Sequence, residues 1–206
     1  MAASSDYERN VFLNCPFDGL YQEMFEAITF AVFACGFLVR CALESEDSGK
    51  VRIEKIFEIV EDCRFGINDL SRTALDPATK LPRFNMPFEL GLFLGARRYG
   101  QGRQKEKRCL ILDREKYRYR AFLSDISGQD IREHEDDPAV AIRTVRNWLR
   151  SHSSRPDIPG GKLIGEQYRN FRAELPQMCR DARISEDEIT FVDYTELVFL
   201  WLKKHP

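Results

Sequence analysis

One carboxylate stands out for where it falls. In the run Arg83-Phe84-Asn85-Met86-Pro87-Phe88-Glu89-Leu90-Gly91, Asn85 is a helix-capping type, and Pro87 suits a first helical turn, where its missing N–H costs nothing. Glu89 then sits about one turn inside a helix whose other members, Phe88 and Leu90 to Ala96, are apolar or small, the composition of a buried helix. A carboxylate entering such a helix either caps it or does chemistry at its mouth. A second carboxylate, Asp69, closes the apolar run that starts at Phe65. An aspartate and a glutamate in one cleft suit chemistry at an anomeric carbon. Breaking an N-glycosidic bond builds positive charge on the ribose, which one carboxylate stabilises or attacks while the other holds a ribose hydroxyl. Such a mechanism needs no metal and no cofactor.

The elements that must position these groups follow from hydrophobic patterning. Strands are expected at 10–14, 37–43, 65–70 and 107–112, with a short fifth strand somewhere in 126–134. Between them, 20–34 carries helical spacing through Leu20, Met24, Phe25, Ile28 and Val32 and is stopped by Gly36. The segment 51–63 places Ile53, Ile56, Phe57 and Val60 on one stripe, and 138–150 forms a further helix. Loops are expected at 44–49 and 71–83. This βαβαβαβ order predicts a flavodoxin-like, doubly wound parallel α/β sheet over residues 8–150. In the strand order 2-1-3-4, ligands bind beyond the carboxyl ends of the first and third strands. Asn14 and Asp69 end those strands, and Glu89 opens the following helix. Ser71, Arg72, Arg83 and Asn85 come from the loop over the mouth. Pro16 and Phe17 belong to the first turn, which leads into a helix N-terminus with free N–H groups for a phosphate.

Each of these residues also has a purely structural reading. Glu89 answers the helix dipole, Asp69 starts a loop through an Asx-turn, Asn14 is a strand-end turn residue, and Arg72 and Arg83 are solvated loop charges. Gly91 and Gly95 read as sites of close helix–sheet packing. The bulk composition narrows the classes. Lys and Arg (31) nearly balance Asp and Glu (33), so no electrostatic bias toward nucleic acid or an acidic membrane is expected. The six cysteines form no CxxC pair and mostly lie in apolar runs, which predicts free buried thiols. The three histidines are not spaced like metal ligands, and none is near the motif in sequence. Residues 1–10 are polar, and no apolar run is long enough for a membrane span, so a cytoplasmic protein is expected.

The stretches Phe65-Gly66-Ile67-Asn68-Asp69-Leu70-Ser71 and Asn85-Met86-Pro87-Phe88-Glu89-Leu90-Gly91 together resemble the nucleoside 2-deoxyribosyltransferase-like superfamily and the bacterial TIR-like (Toll/interleukin-1 receptor-like) proteins related to it. Val11 to Asp18 is similar to the first strand and loop of TIR-like proteins, although a Ser or Tyr is more usual there than Asn14-Cys15. The likeness spans about residues 10–115. It implies that Glu89 is the catalytic residue and that Asp69 contacts ribose or base. The implied substrate is a nucleotide, commonly NAD, which is hydrolysed or cyclised by an effector in antiphage defence. Transfer of a deoxyribosyl group between bases is the alternative, and a non-catalytic nucleotide-binding or assembly domain is a third reading.

Residues 151–161, rich in Ser, Pro and Gly, read as a linker, and 162–206 as a C-terminal helical extension. Within the extension, Ser185 and Glu188 form a capping-box pattern, and a last helix is expected at 193–203. In Val198-Phe199-Leu200-Trp201-Leu202, Phe199 and Trp201 lie on different sides of a helix and cannot both be buried against one neighbour, so the helix is either sandwiched within its own chain or has one side for self-association into a homo-oligomer.

Overall fold

A computed structural model describes residues 6–44, 49–73, 75 and 80–206. Most of the expected loop at 44–49, part of that at 71–83 and the first five residues lie outside the described set. The strands are β1 (Asn10–Asn14), β2 (Leu38–Arg40), β3 (Phe65–Asp69), β4 (Arg108–Asp113) and β5 (Arg132–Glu133). They form one all-parallel sheet in the order β2-β1-β3-β4-β5, a flavodoxin-like arrangement with C-terminal helices added. The helices are α1 (Gln22–Ala34), α2 (Arg52–Glu61), α3 (Asn85–Tyr99), α4 (Pro138–His152), α5 (Gly161–Ala182) and α6 (Phe191–Lys204).

Side chains alternate across the sheet, as the pleat requires. Val11 and Leu13 of β1 face a core shared with α1 and α4, while Phe12 faces α2 and α3, where it stacks on Phe93 with ring centroids 6.1 Å apart. Both faces are covered, which explains why the strands read as nearly continuous apolar runs. Close approach of α3 to the sheet is made possible by Gly66 in β3. A Cβ built there would meet the Phe93 ring at 2.7 Å. Gly91 and Gly95, expected to serve that purpose, have open space where a Cβ would go.

The motif helix departs from expectation in two ways. Asn85 is its first residue rather than its cap; Phe84 occupies the cap position, with no side-chain hydrogen bond. Nor is the helix buried all round. Met86, Glu89, Leu90 and Phe93 form an inward stripe, whereas Phe84 and Phe88 are 64% and 55% exposed. The short side of α3 toward solvent is thus apolar, which composition alone cannot separate from burial. Strand β2 is three residues rather than seven because the chain turns at Cys41, beyond the reach of β1 pairing. Residues 118–126 hold two short 3-10 turns, leaving β5 only two residues to pair with Leu112 and Asp113.

The last helices continue the same core. Phe30 of α1 lies within 6 Å, centroid to centroid, of Tyr168, Phe171 and Trp201, and all four are buried. Tyr194 Oη donates to Glu26 O, Tyr168 Oη donates to Glu23 O, and Arg172 pairs with Glu26. The connection at 153–160 is tied down: Arg155 donates to Gly36 O at 2.8 Å, and Arg146 donates to Pro159 O and Ile158 O. Gly36 itself adopts φ +78°, ending α1 in a left-handed turn whose N–H bonds Phe33 O. The capping box of the extension is Thr190 with Asp193, not Ser185 with Glu188. Thr190 Oγ1 accepts from Asp193 N–H while the Asp193 carboxylate accepts from Thr190 N–H. Ser185 precedes a single 3-10 turn instead.

Candidate active site

β1 and β3 are neighbours in register, with Leu13 beside Ile67 and Asn14 beside Asn68. The helices that follow them leave on opposite faces, which makes the carboxyl ends of these two strands the switch point of the sheet, where doubly wound folds place their ligand crevice. Asn14 does not project into free space there. Its Nδ2 donates to Asn68 Oδ1 at 3.0 Å and to Met86 O at 2.8 Å. The side chain therefore ties the end of β1 to the first turn of α3, three residues before Glu89.

Asp69 is fully enclosed. Its Oδ1 accepts from Ser71 N–H at 2.7 Å and Ser71 Oγ–H at 2.5 Å, and its Oδ2 accepts from Tyr21 Oη–H at 2.6 Å. His134 Nε2 stands 3.0 Å from the same Oδ2, off the line of an ideal hydrogen bond, so the attraction there is more ionic than directional. Burial works to raise the Asp69 pKa, but the bonds from His134, Ser71 and Tyr21 outweigh it and hold the carboxyl below its ordinary range. His134 answers in kind. Its complete burial disfavours the imidazolium, and Asp69 overcomes that and lifts the pKa above the ordinary imidazole value. Asp136 N–H donates to His134 Nδ1 at 3.1 Å, which selects the Nε2–H tautomer in the neutral ring. The Tyr21 phenol is pushed well up by burial and by Asp69, so it stays a donor. Asp69 thus joins the loops after β1, β3 and β5.

Glu89 contrasts with it. The residue is 6% exposed, and its carboxylate has no hydrogen-bond or ion-pair partner among the described residues. Burial raises its pKa, partly offset by the positive charge of Arg52 at the start of α2. Both carboxylates lie within electrostatic reach of the buried Cys15 thiol, which burial and the charges around it push far up, so Cys15 is no nucleophile at neutral pH.

The loop arginines converge on one residue. Asp18 Oδ2 pairs with Arg83 at 2.9 Å and its Oδ1 with Arg72 at 3.3 Å. The same Oδ1 accepts Leu20 N–H, and Tyr21 N–H goes to Asp18 O, so the two N–H groups just before α1 are occupied. Pro16 is buried, and Phe17 is 37% exposed with its ring edge-on to Phe25. Asn85 is exposed on the rim.

No family model matches the chain, and no curated protein matches it.

Tyr21, His134, Asp18 and Arg52 are the residues that sequence reading missed. His134 was expected to lie away from the motif; β5 brings it beside Asp69. The sequence does hold one signal for Tyr21, a polar-tipped aromatic at the start of a largely apolar helix that follows the first strand. A cavity of about 360 Å³ lies elsewhere, between β4, the short β5 and α4. Its one carboxylate, Asp130, is exposed and already paired with Arg132, so that cavity offers no poised group. Among the described residues there is no cluster of metal-ligating side chains and no helix long and apolar enough to cross a membrane.

Proposed function

We propose that this protein cleaves the N-glycosidic bond of a nucleotide, with NAD as the substrate of choice and Glu89 as the catalytic carboxylate. The observation that carries this reading is the contrast between the two acids at the switch point: Asp69 is consumed by its neighbours, whereas Glu89 is buried, unpartnered and raised in pKa. A desolvated carboxylate left without a donor is costly to the fold and suits a site where positive charge develops during reaction. As the bond between ribose C1′ and the nicotinamide nitrogen breaks, the electron pair leaves with nicotinamide and the ribose becomes cationic. Glu89 stabilises that cation or bonds to C1′, and water then completes ADP-ribose. The positive charge of bound nicotinamide also draws Glu89 to its ionised form. Arg52 and the Arg72–Asp18–Arg83 cluster, which keeps one positive charge in excess, supply positive charge near the mouth for a pyrophosphate. The motif likeness supports the same reading and its setting, a cytoplasmic effector that destroys NAD in antiphage defence.

In this reading Asp69 acts through Tyr21, Ser71 and His134 to hold the crevice in shape, and does not itself touch the sugar. The test is incubation of the purified chain with NAD, with deoxynucleosides plus a free acceptor base, and with neither, followed by chromatography. Nicotinamide release that falls by about 100-fold or more in Glu89→Gln is expected. Base exchange without NAD cleavage would move the assignment to a deoxyribosyl transferase. Turnover unaffected by Glu89→Gln would refute the role of this carboxylate.

A further inference from the structure

α6 presents two faces of opposite character. Tyr194, Leu197, Val198 and Trp201 point into the core and are buried. On the other side, Val192, Glu196, Phe199 and Lys203 fall within one narrow stripe at helical spacing, flanked by Thr195 and Leu200. Phe199 is 58% exposed, Leu200 50% and Val192 47%. Phe33 of α1 joins them at the edge of a shallow groove of about 320 Å³ lined also by Thr195, Glu196, Phe199 and Leu200. Two adjacent large apolar side chains half in water, beside an aromatic-walled groove, are unusual for a face that meets solvent alone.

The charges on the stripe specify what covers it. Glu196 lies three residues before Phe199 and Lys203 three residues after Leu200. None of Glu196, Lys203 and Lys204 has an ion-pair partner among the described residues. When two such helices cross antiparallel about a two-fold axis between positions 199 and 200, Phe199 meets Leu200 of the partner subunit. Glu196 then meets Lys203 of the partner subunit, and Thr195 meets Lys204 of the partner subunit. Each contact is repeated by symmetry, so the face is complementary to itself in both apolar content and charge. We propose that the outer face of α6 is a homodimer interface, formed by antiparallel pairing with a second copy of this chain. The apolar patch is small for a stable interface, so the dimer is a weak one that forms in the micromolar range.

Sedimentation velocity of the full chain over a dilution series from micromolar to submillimolar reads this directly. A reversible monomer–dimer equilibrium is expected. Phe199→Asp is expected to abolish it with an unchanged circular dichroism spectrum and melting temperature, because the side chain makes no core contact. Glu196→Lys and Lys203→Glu should each weaken dimerisation by about tenfold through like charges placed opposite one another. The double variant Glu196→Lys/Lys203→Glu restores the pairing and should recover the dimer. A chain that stays monomeric throughout overturns the proposal. A dimer indifferent to Phe199→Asp places the interface elsewhere, and failure of the charge swap to rescue rejects the antiparallel register.

Discussion

Replacing Asp69 by asparagine keeps the shape of the side chain and removes one acceptor oxygen at the busiest junction of the site. If the remaining oxygen keeps both bonds from Ser71, the new amide NH₂ stands where Oδ2 accepted from Tyr21 Oη–H and lay against His134 Nε2. Tyr21 can turn its hydroxyl to accept. His134 cannot accept at Nε2 without moving its proton to Nδ1, where Asp136 N–H already points. The substitution therefore leaves one buried donor facing another. Loss of a hydrogen bond to a charged group costs about 1.5–3 kcal/mol, and breaking a buried ionic contact about 3–5 kcal/mol. We take about 3 kcal/mol for Asp69→Asn. For a chain of this size that lowers the melting temperature by roughly 6–12 °C. The pH dependence has a definite sign. The native Asp69 pKa lies below the unfolded value, so its contribution is present above about pH 4 and is lost as the pH falls through the lower, native value. Thermal unfolding followed by circular dichroism should show the widest gap between parent and variant from about pH 4 to about pH 6.5, narrowing below about pH 4 and again as the pH rises through the raised native value of His134. A variant that melts with the parent at neutral pH, yet loses nucleotide binding, would refute the reasoning and return Asp69 to a role in direct substrate contact.

Glu89→Gln should leave the melting temperature at neutral pH unchanged or raised, since burial already penalises the ionised carboxylate and no partner is lost; a clear drop would mean that its charge stabilises the fold. Asn14→Ala removes the bonds to Asn68 Oδ1 and Met86 O and should cost about 1–3 kcal/mol in denaturant unfolding. It should also reduce any Glu89-dependent turnover, because the first turn of α3 loses its tie to β1. Phe171→Ala, at a fully buried position in ring contact with Phe30, Tyr194 and Trp201, should cost about 3–5 kcal/mol and shift a single cooperative transition. Two separated transitions would show that the C-terminal helices melt independently.

The sheet was legible because its strands are short apolar runs with helical patterns between them, and β1, β3 and the start of α4 fall where the residues place them. Glu89 stood out in the local sequence too, since it lies one turn inside a helix of mostly apolar and small residues. What could not be read depends on contacts distant in sequence. His134 sits 65 positions beyond Asp69, just after a two-residue strand too short to carry a periodic signal. Arg72 and Arg83 look like free loop charges until folding sets Asp18 between them. The helix start was misassigned because Asn85 is a good capping type in isolation, while the backbone here enters the helix one residue earlier. The same logic misled the reading of the glycines: Gly91 and Gly95 have the spacing of a packing face, but the close contact is made from the strand side, at Gly66.

Helix α1 has a consequence for how this protein comes into being. It precedes α5 and α6 by more than a hundred positions, and Tyr21, which holds Asp69 from the first loop, immediately precedes it. Yet Phe30 and Glu26 find their partners at Tyr168, Phe171, Arg172, Tyr194 and Trp201, more than a hundred positions later. Such a distribution of contacts delays folding, because the loops must close before the apolar surface is rewarded. During translation the outer surface of α1 stays uncovered until α5 and α6 emerge, so the nascent chain is a natural client for a chaperone.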